Sequence, residues 1–178
     1  MEIYELKELA APFYRQKDPG TREDYPDRVI ELVNEWQESI EEPLDVDLLI
    51  AMSTLYAVSE EIRSTHQSRV GVEAWFVEQG WGNARIRGLM RSLERLPDQP
   101  KSMEEKLVAD ADTALRLDLF GLARALLTGG AKDEKLPDVL DRVQKDLYRR
   151  AYTAPGQQRI VPKKARLRDL LEELRAAL

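Results

Sequence analysis

The run Asp47-Leu48-Leu49-Ile50-Ala51-Met52-Ser53-Thr54-Leu55-Tyr56-Ala57-Val58 decides how this chain folds. Wound at 3.6 residues per turn, Leu48, Leu49, Ile50, Ala51, Met52 and Leu55 cover nearly the whole cylinder and leave no continuous polar stripe. A helix that is apolar on all sides has to be enclosed by other elements. The run therefore predicts a buried central helix with neighbours around it.

Those neighbours are legible on both sides. Ile3, Leu6, Ala10 and Phe13 share one face of a first helix, which Pro19-Gly20 terminates. Pro26 suits the opening turn of a second, whose stripe Val29, Leu32, Val33, Trp36 and Ile40 ends at Glu41-Glu42-Pro43. After the central run, a fourth helix closes at Gly80 with Val70, Ala74, Trp75 and Val77 facing inward. A fifth, capped by Asn83, carries Ile86, Leu89, Met90 and Leu93. Ser102-Met103-Glu104-Glu105 is a capping-box pattern. It opens what reads as the longest helix, running through Leu107, Ala111, Leu115, Leu122 and Leu126 to Gly129-Gly130. Two more follow, one on Val139, Leu140, Val143 and Leu147 and one on Leu167, Leu170, Leu171, Leu174 and Leu178. Between them Thr153-Ala154-Pro155-Gly156 reads as a loop, and Ile160-Val161 is the one strand-like fragment. The expectation is an all-α single domain over residues 1–178, a bundle of roughly seven or eight helices around the central one.

Composition narrows the chemistry. With no Cys, disulfides, thiolate nucleophiles and Cys-based zinc sites are excluded. The single His, His66, cannot assemble a multi-imidazole metal site. No apolar run approaches the ~18–20 residues of a membrane helix, and the acidic start Met1-Glu2-Ile3-Tyr4-Glu5 is unlike a signal peptide. The expected location is the cytoplasm, with no membrane partner. Net charge is −6 over 178 residues, yet residues 149–178 hold eight cationic and three acidic side chains, net +5. This basic C-terminal helical segment, from about 149, can contact phosphates. The plainer reading folds it back onto the acidic body, which leaves nucleic acid an unfavoured partner.

Three stretches carry a resemblance. Asp18-Pro19-Gly20-Thr21-Arg22-Glu23-Asp24-Tyr25-Pro26-Asp27-Arg28-Val29, then Ala51 to Val58, then Glu105-Lys106-Leu107-Val108-Ala109-Asp110-Ala111-Asp112 follow one another as do the motifs of HD-domain metal-dependent phosphohydrolases. Phe13 to Asp18, Leu119 to Ala125 with its Ala123-Arg124 pair, and Tyr152-Thr153-Ala154 are similar to the stretches between those motifs. The resemblance implies an HD-like helical fold. It also implies that a His, an adjacent His-Asp pair and a later Asp should converge on a divalent metal that activates water. At those positions this chain has Tyr25, Tyr56, Ala57 and Asp112, and Thr21 where many members carry a further His.

A neutral phenol with pKa about 10 is a poor metal ligand, and Ala offers no donor. The chain thus resembles a degenerate HD-domain protein without metal or cofactor. Its expected role is that of a catalytically inactive module that binds a phosphorylated small molecule or nucleotide, or a protein partner. The alternative is an active phosphohydrolase with a rearranged carboxylate site on Glu60, Glu61 and Asp112. Glu60 lies four residues after Tyr56 and matches an acid/base Glu of some branches; His66 matches a pocket His of many. Glu60 reads more simply as part of the exposed acidic pair Glu60-Glu61, and His66 reads equally as a surface or core His bonded to a neighbour. Asp110 and Asp112 are about 200° apart on a helix, so only one can face the site. If Asp112 points inward, its charge needs a partner, with Arg28, Arg63, Arg116, His66 and the phenols of Tyr25 and Tyr56 as candidates. The expectation is that both phenols fill the metal position and at least one bonds Asp112.

Overall fold

The computed structural model of the chain describes residues 2–17 and 24–177. The Pro19-Gly20 terminator and Thr21 lie outside the described residues. Among them there are ten α-helical segments and no strand: α1 Ile3–Tyr14, α2 Asp24–Gln37, α3 Val46–Leu55, α4 Ser59–Ser64, α5 His66–Glu78, α6 Asn83–Arg95, α7 Met103–Arg116, α8 Leu119–Ala131, α9 Leu136–Asp146 and α10 Ala154–Ala176. Among the described residues, no helix is long and apolar enough to cross a membrane.

α3 is the buried element its sequence predicts. The Asp45 carboxylate caps it by accepting from Leu48 N at 3.0 Å. Leu49, Ala51, Met52 and Leu55 have no solvent contact. The two buried hydroxyls in this apolar helix bond back one turn, Ser53 to the Leu49 carbonyl and Thr54 to that of Ile50, so neither is left unsatisfied. α1, α2, α6 and α7 surround it. The helix stops at Leu55, short of the expected Val58. Tyr56–Val58 tightens into a 3-10 turn and the chain restarts as α4.

α7 is a second central helix, packed against α2, α3, α8, α9 and α10. Small residues at 109, 111 and 114 admit neighbours closely, while Asp110 and Asp112 conceal its burial from a hydropathy reading. The Ser102 hydroxyl caps it, accepting from Glu105 N as the capping box predicts. The Glu105 carboxylate differs from the pattern: it accepts from Lys101 N at 2.7 Å and from the hydroxyl of Ser92, and pairs with Arg95.

Several expectations are corrected. The long helix predicted from Ser102 to Gly130 is two helices at a corner. The Asp118 carboxylate interrupts it by accepting from Phe120 N and Gly121 N at 2.9 and 3.2 Å, starting α8 in a new direction. The corner is tight: a Cβ on Gly121 would sit 2.3 Å from the Arg116 carbonyl oxygen. On α5, Val72 and Phe76 face inward, whereas Val70 and Val77 are 45% and 53% exposed and Ala74 is exposed too. The ring of Phe76 is 4.7 Å from Trp81 and 5.0 Å from Trp75, and this aromatic cluster sets the rotation of the helix. Asn83 is the first residue of α6, not its cap; Gly82 precedes it.

Thr153-Ala154-Pro155-Gly156 is not a loop but the cap and first turn of α10, and Ile160-Val161 lies within that helix. Asp110 fixes this start by accepting from Tyr152 N, Thr153 N and the Thr153 hydroxyl, the last two at 2.8 and 2.7 Å. The backbone is so close that a Cβ on Gly156 would meet Asp110 Oδ2 at 2.0 Å. The basic C-terminal segment does fold back onto the acidic body. Lys163 pairs with Asp118 at 2.9 Å, Arg175 with Asp141 at 2.7 Å, and Arg159 with Glu35.

Candidate functional site

Asp112 sits on the face of α7 opposite Asp110, as the helical geometry requires, and has no solvent exposure. Three hydrogen-bond donors and a further guanidinium enclose it. The hydroxyls of Tyr25, from the first turn of α2, and Tyr56, from the 3-10 turn, both donate to Oδ1; their oxygens lie 2.5 Å apart. Arg116, one turn along α7, donates to Oδ2 at 2.7 Å, and Arg149 approaches the same oxygen at 3.7 Å. The break at Leu55 matters here, because it turns Tyr56 inward.

The electrostatics follow. Burial alone pushes the Asp112 carboxyl up, but Arg116, then Arg149 and the two phenols outweigh it and hold its pKa below the ordinary aspartate value. Burial raises both phenol pKa values, and the adjacent Asp112 charge raises them further, so both remain protonated donors. Arg116 is in turn held charged by Asp112. The cluster is a closed ionic unit with every partner matched.

Above it opens a cavity of about 510 Å³. Tyr25, Tyr56 and Ala57 form part of its lining. One face of α8 contributes Gly121, Arg124, Ala125, Thr128 and Lys132. α9 and its continuation supply Arg142, Lys145 and Arg149, Arg116 comes from α7, and Lys17 stands at the end of the α1 segment. Against these seven cationic side chains stand two carboxylates, Glu134 and Asp146, each held by an arginine: Arg142 to Glu134 and Arg149 to Asp146, both at 2.7 Å. The Arg124 guanidinium lies 3.9 Å over the Tyr25 ring, a cation–π contact that fixes both walls.

Of the residues singled out in the sequence, the structure therefore brings together Tyr25, Tyr56, Ala57, Asp112 and, among the candidate partners of Asp112, Arg116. It does not bring in Arg28, Glu60, Glu61, Arg63 or His66. Arg28 is exposed and lies 4.7 Å over the Phe120 ring, which stacks on Tyr25; it touches the outside of the site wall without lining the cavity. Glu60 is exposed on α4. His66 is exposed at the start of α5, where the Thr65 hydroxyl caps the helix. Arg63 donates to the Ser59 carbonyl. The rearranged carboxylate site does not form: Glu61 pairs with Lys17 at 2.6 Å, Glu60 points to solvent, and Asp112 is enclosed. Among the described residues no three carboxylate, imidazole or thiolate side chains gather as a metal would need.

The divalent metal implied by the sequence resemblance does not fit these residues. Two protonated phenols and an alanine replace nitrogen and oxygen donors, and the remaining carboxylate already holds two guanidinium groups and two hydroxyls. The arrangement instead offers converging cations over a polar floor.

The cation ring was missed in the sequence. Two signals were present: Arg142, Lys145 and Arg149 recur at i, i+3 and i+7, and Gly121, Arg124, Ala125, Thr128 and Lys132 share one helical face. Neither stripe identifies its partner.

Fold and site thus describe an all-α protein with a buried Tyr–Asp–Tyr cluster beneath a cationic cavity. No protein-family model matches the chain, and no curated protein sequence is significantly similar to it. Solved structures do match its fold. A Lactobacillus plantarum protein from a structural genomics programme superposes with a TM-score of 0.77 at 16% identity, over 98% of this chain and 95% of its own. Bacillus subtilis YpgQ, crystallised in complex with ADP, gives 0.75 at 15% identity over 99% and 98%. The Lin1889 protein of Listeria innocua gives 0.72 at 17% identity over 98% and 96%. At these identities the likeness is one of fold.

Proposed function

We propose that this chain is a degenerate member of the HD-domain phosphohydrolase superfamily that has exchanged metal chemistry for anion binding. In this reading its cavity holds a phosphorylated small molecule, a nucleotide such as a nucleoside diphosphate, without hydrolysing it. One observation carries the reading: seven cationic side chains surround a cavity whose floor is the self-satisfied Tyr25–Asp112–Tyr56 cluster. Phosphate oxygens are acceptors only, and arginines in converging pairs suit them. The phenol oxygens take up the position of an ion, and Asp112 has its charge compensated from within the protein. The ADP bound to YpgQ, whose fold is similar, is in keeping with a nucleotide ligand.

The test is calorimetric. ADP and pyrophosphate are expected to bind, and adenosine is expected not to. Arg142→Ala and Lys145→Ala should each weaken ADP binding by roughly tenfold to a hundredfold, the value of one charge-assisted hydrogen bond. Adenosine binding as well as ADP would sink the reading. So would stoichiometric manganese together with phosphatase activity that Asp112→Ala abolishes.

A further inference from the structure

We propose that the cavity takes its polyphosphate ligand as the metal-free anion, and that magnesium opposes binding. The inference rests on the anion-site reading above and specifies the form of the ligand.

Nucleotide sites that accept the magnesium complex place the ion between phosphate oxygens and free protein carboxylates or hydroxyls. Each carboxylate of the cavity wall and floor is already paired with an arginine. Asp112 gives Oδ1 to two hydroxyls and Oδ2 to Arg116 and Arg149, and has no solvent contact. Glu134 and Asp146 stand at the cavity wall, each 2.7 Å from an arginine nitrogen. A divalent ion that took the second oxygen of either acid would sit beside a guanidinium, in a lining of seven cations and two acids, or four acids when Asp112 beneath it and Glu61 on Lys17 are counted. The phenols are no better: the Tyr25 and Tyr56 protons are committed to Asp112, and burial together with that charge keeps them neutral. Thr128, the other hydroxyl of the lining, stands one turn from both Arg124 and Lys132 on α8.

The role a metal fills elsewhere, charge compensation of vicinal phosphates, falls here to the protein. A guanidinium pair spans two phosphate oxygens without the rigid octahedral shell and retained waters that magnesium demands. Magnesium on the ligand would cancel two of its negative charges, occupy the oxygens the arginines need, and bring a dication against a cationic wall. All three effects act in one direction.

The experiment titrates ADP into the whole 178-residue chain by calorimetry, once in EDTA and once in saturating magnesium chloride, with sodium chloride matching ionic strength. Pyrophosphate is run in parallel as a ligand with no base. The expected result is binding in EDTA that weakens by roughly tenfold in magnesium, the loss of at least one charge-assisted contact. Tighter binding in magnesium, binding only with it, or equal affinity in both would overturn this inference while leaving the anion site standing. No binding of either ligand under both conditions would overturn the anion site as well. The double variant Glu134→Gln/Asp146→Asn removes the two wall carboxylates. Magnesium should still weaken its ADP binding, whereas magnesium-enhanced binding that this variant abolishes would assign those acids to a metal and sink the proposal.

Discussion

Asp112 is a charge that has lost all contact with water, and three donors and the nearby Arg149 guanidinium hold it in place of a solvation shell. Removing one partner from a buried ion pair costs about 3–5 kcal/mol, because the other charge is stranded. Asp112→Asn should destabilise the protein by that amount in urea unfolding. The pH dependence has a definite sign. The folded pKa of Asp112 is depressed, so its stabilisation is complete above the unfolded aspartate value of about 4 and fades as pH falls through the lowered folded value. Wild type and Asp112→Asn should therefore converge in stability in strong acid; an undiminished gap at pH 2 would show that the charge is not what the cluster stabilises. Tyr25→Phe and Tyr56→Phe should each cost about 1.5–3 kcal/mol, as donors to a charged acceptor. The double variant should exceed the sum of the two, since each phenol covers for the other on Oδ1.

Helix corners and starts set where these side chains point. At the α7–α8 corner, Gly121 leaves no room for a Cβ against the Arg116 carbonyl, and at the start of α10, Gly156 leaves none against Asp110. Gly71 in α5 and Gly88 in α6 face open space. Alanine at 121 or 156 should therefore destabilise by about 1–3 kcal/mol through overpacking. At 71 or 88 it should stabilise by about 0.4–1 kcal/mol, by restricting the unfolded chain. Thermal melts of the four variants check this, and a loss at 88 comparable to that at 121 would contradict the packing. Most elements were legible from periodicity, including α6 and its face Ile86, Leu89, Met90 and Leu93. The corner at Leu117-Asp118 was not. No Pro marks it, and the apolar stripe continues across it, so the Asp118 cap and Gly121 three residues on were its local signs. The rotation of α5 was equally hidden, because Val70 and Val77 are as apolar as the Phe76 that won the core.

Across the whole molecule, the cavity draws its charge from segments at 17, 116, 124–132 and 142–149, which only the packing of α1, α7, α8 and α9 brings together. Long-range attraction of a polyanion to such a ring is screened by salt, over about 10 Å at 0.1 M. ADP affinity should therefore fall steadily as sodium chloride rises from 50 to 500 mM, and removing Lys145 should flatten that slope. An affinity indifferent to salt would point away from the ring. Here the division between sequence and tertiary structure is clear. The sequence by itself determined the all-α architecture and the buried central helix, because apolar periodicity is a local property of each segment. Through its ordered motifs it also pointed to Tyr25, Tyr56, Ala57 and Asp112 as one site. Only the tertiary structure decided that Arg116 and Arg149 neutralise Asp112, that Arg28, Glu60 and His66 stand apart, and that seven cations share one cavity. Pairing between charges depends on distance in space, and residues far apart along the chain leave no periodic trace of it.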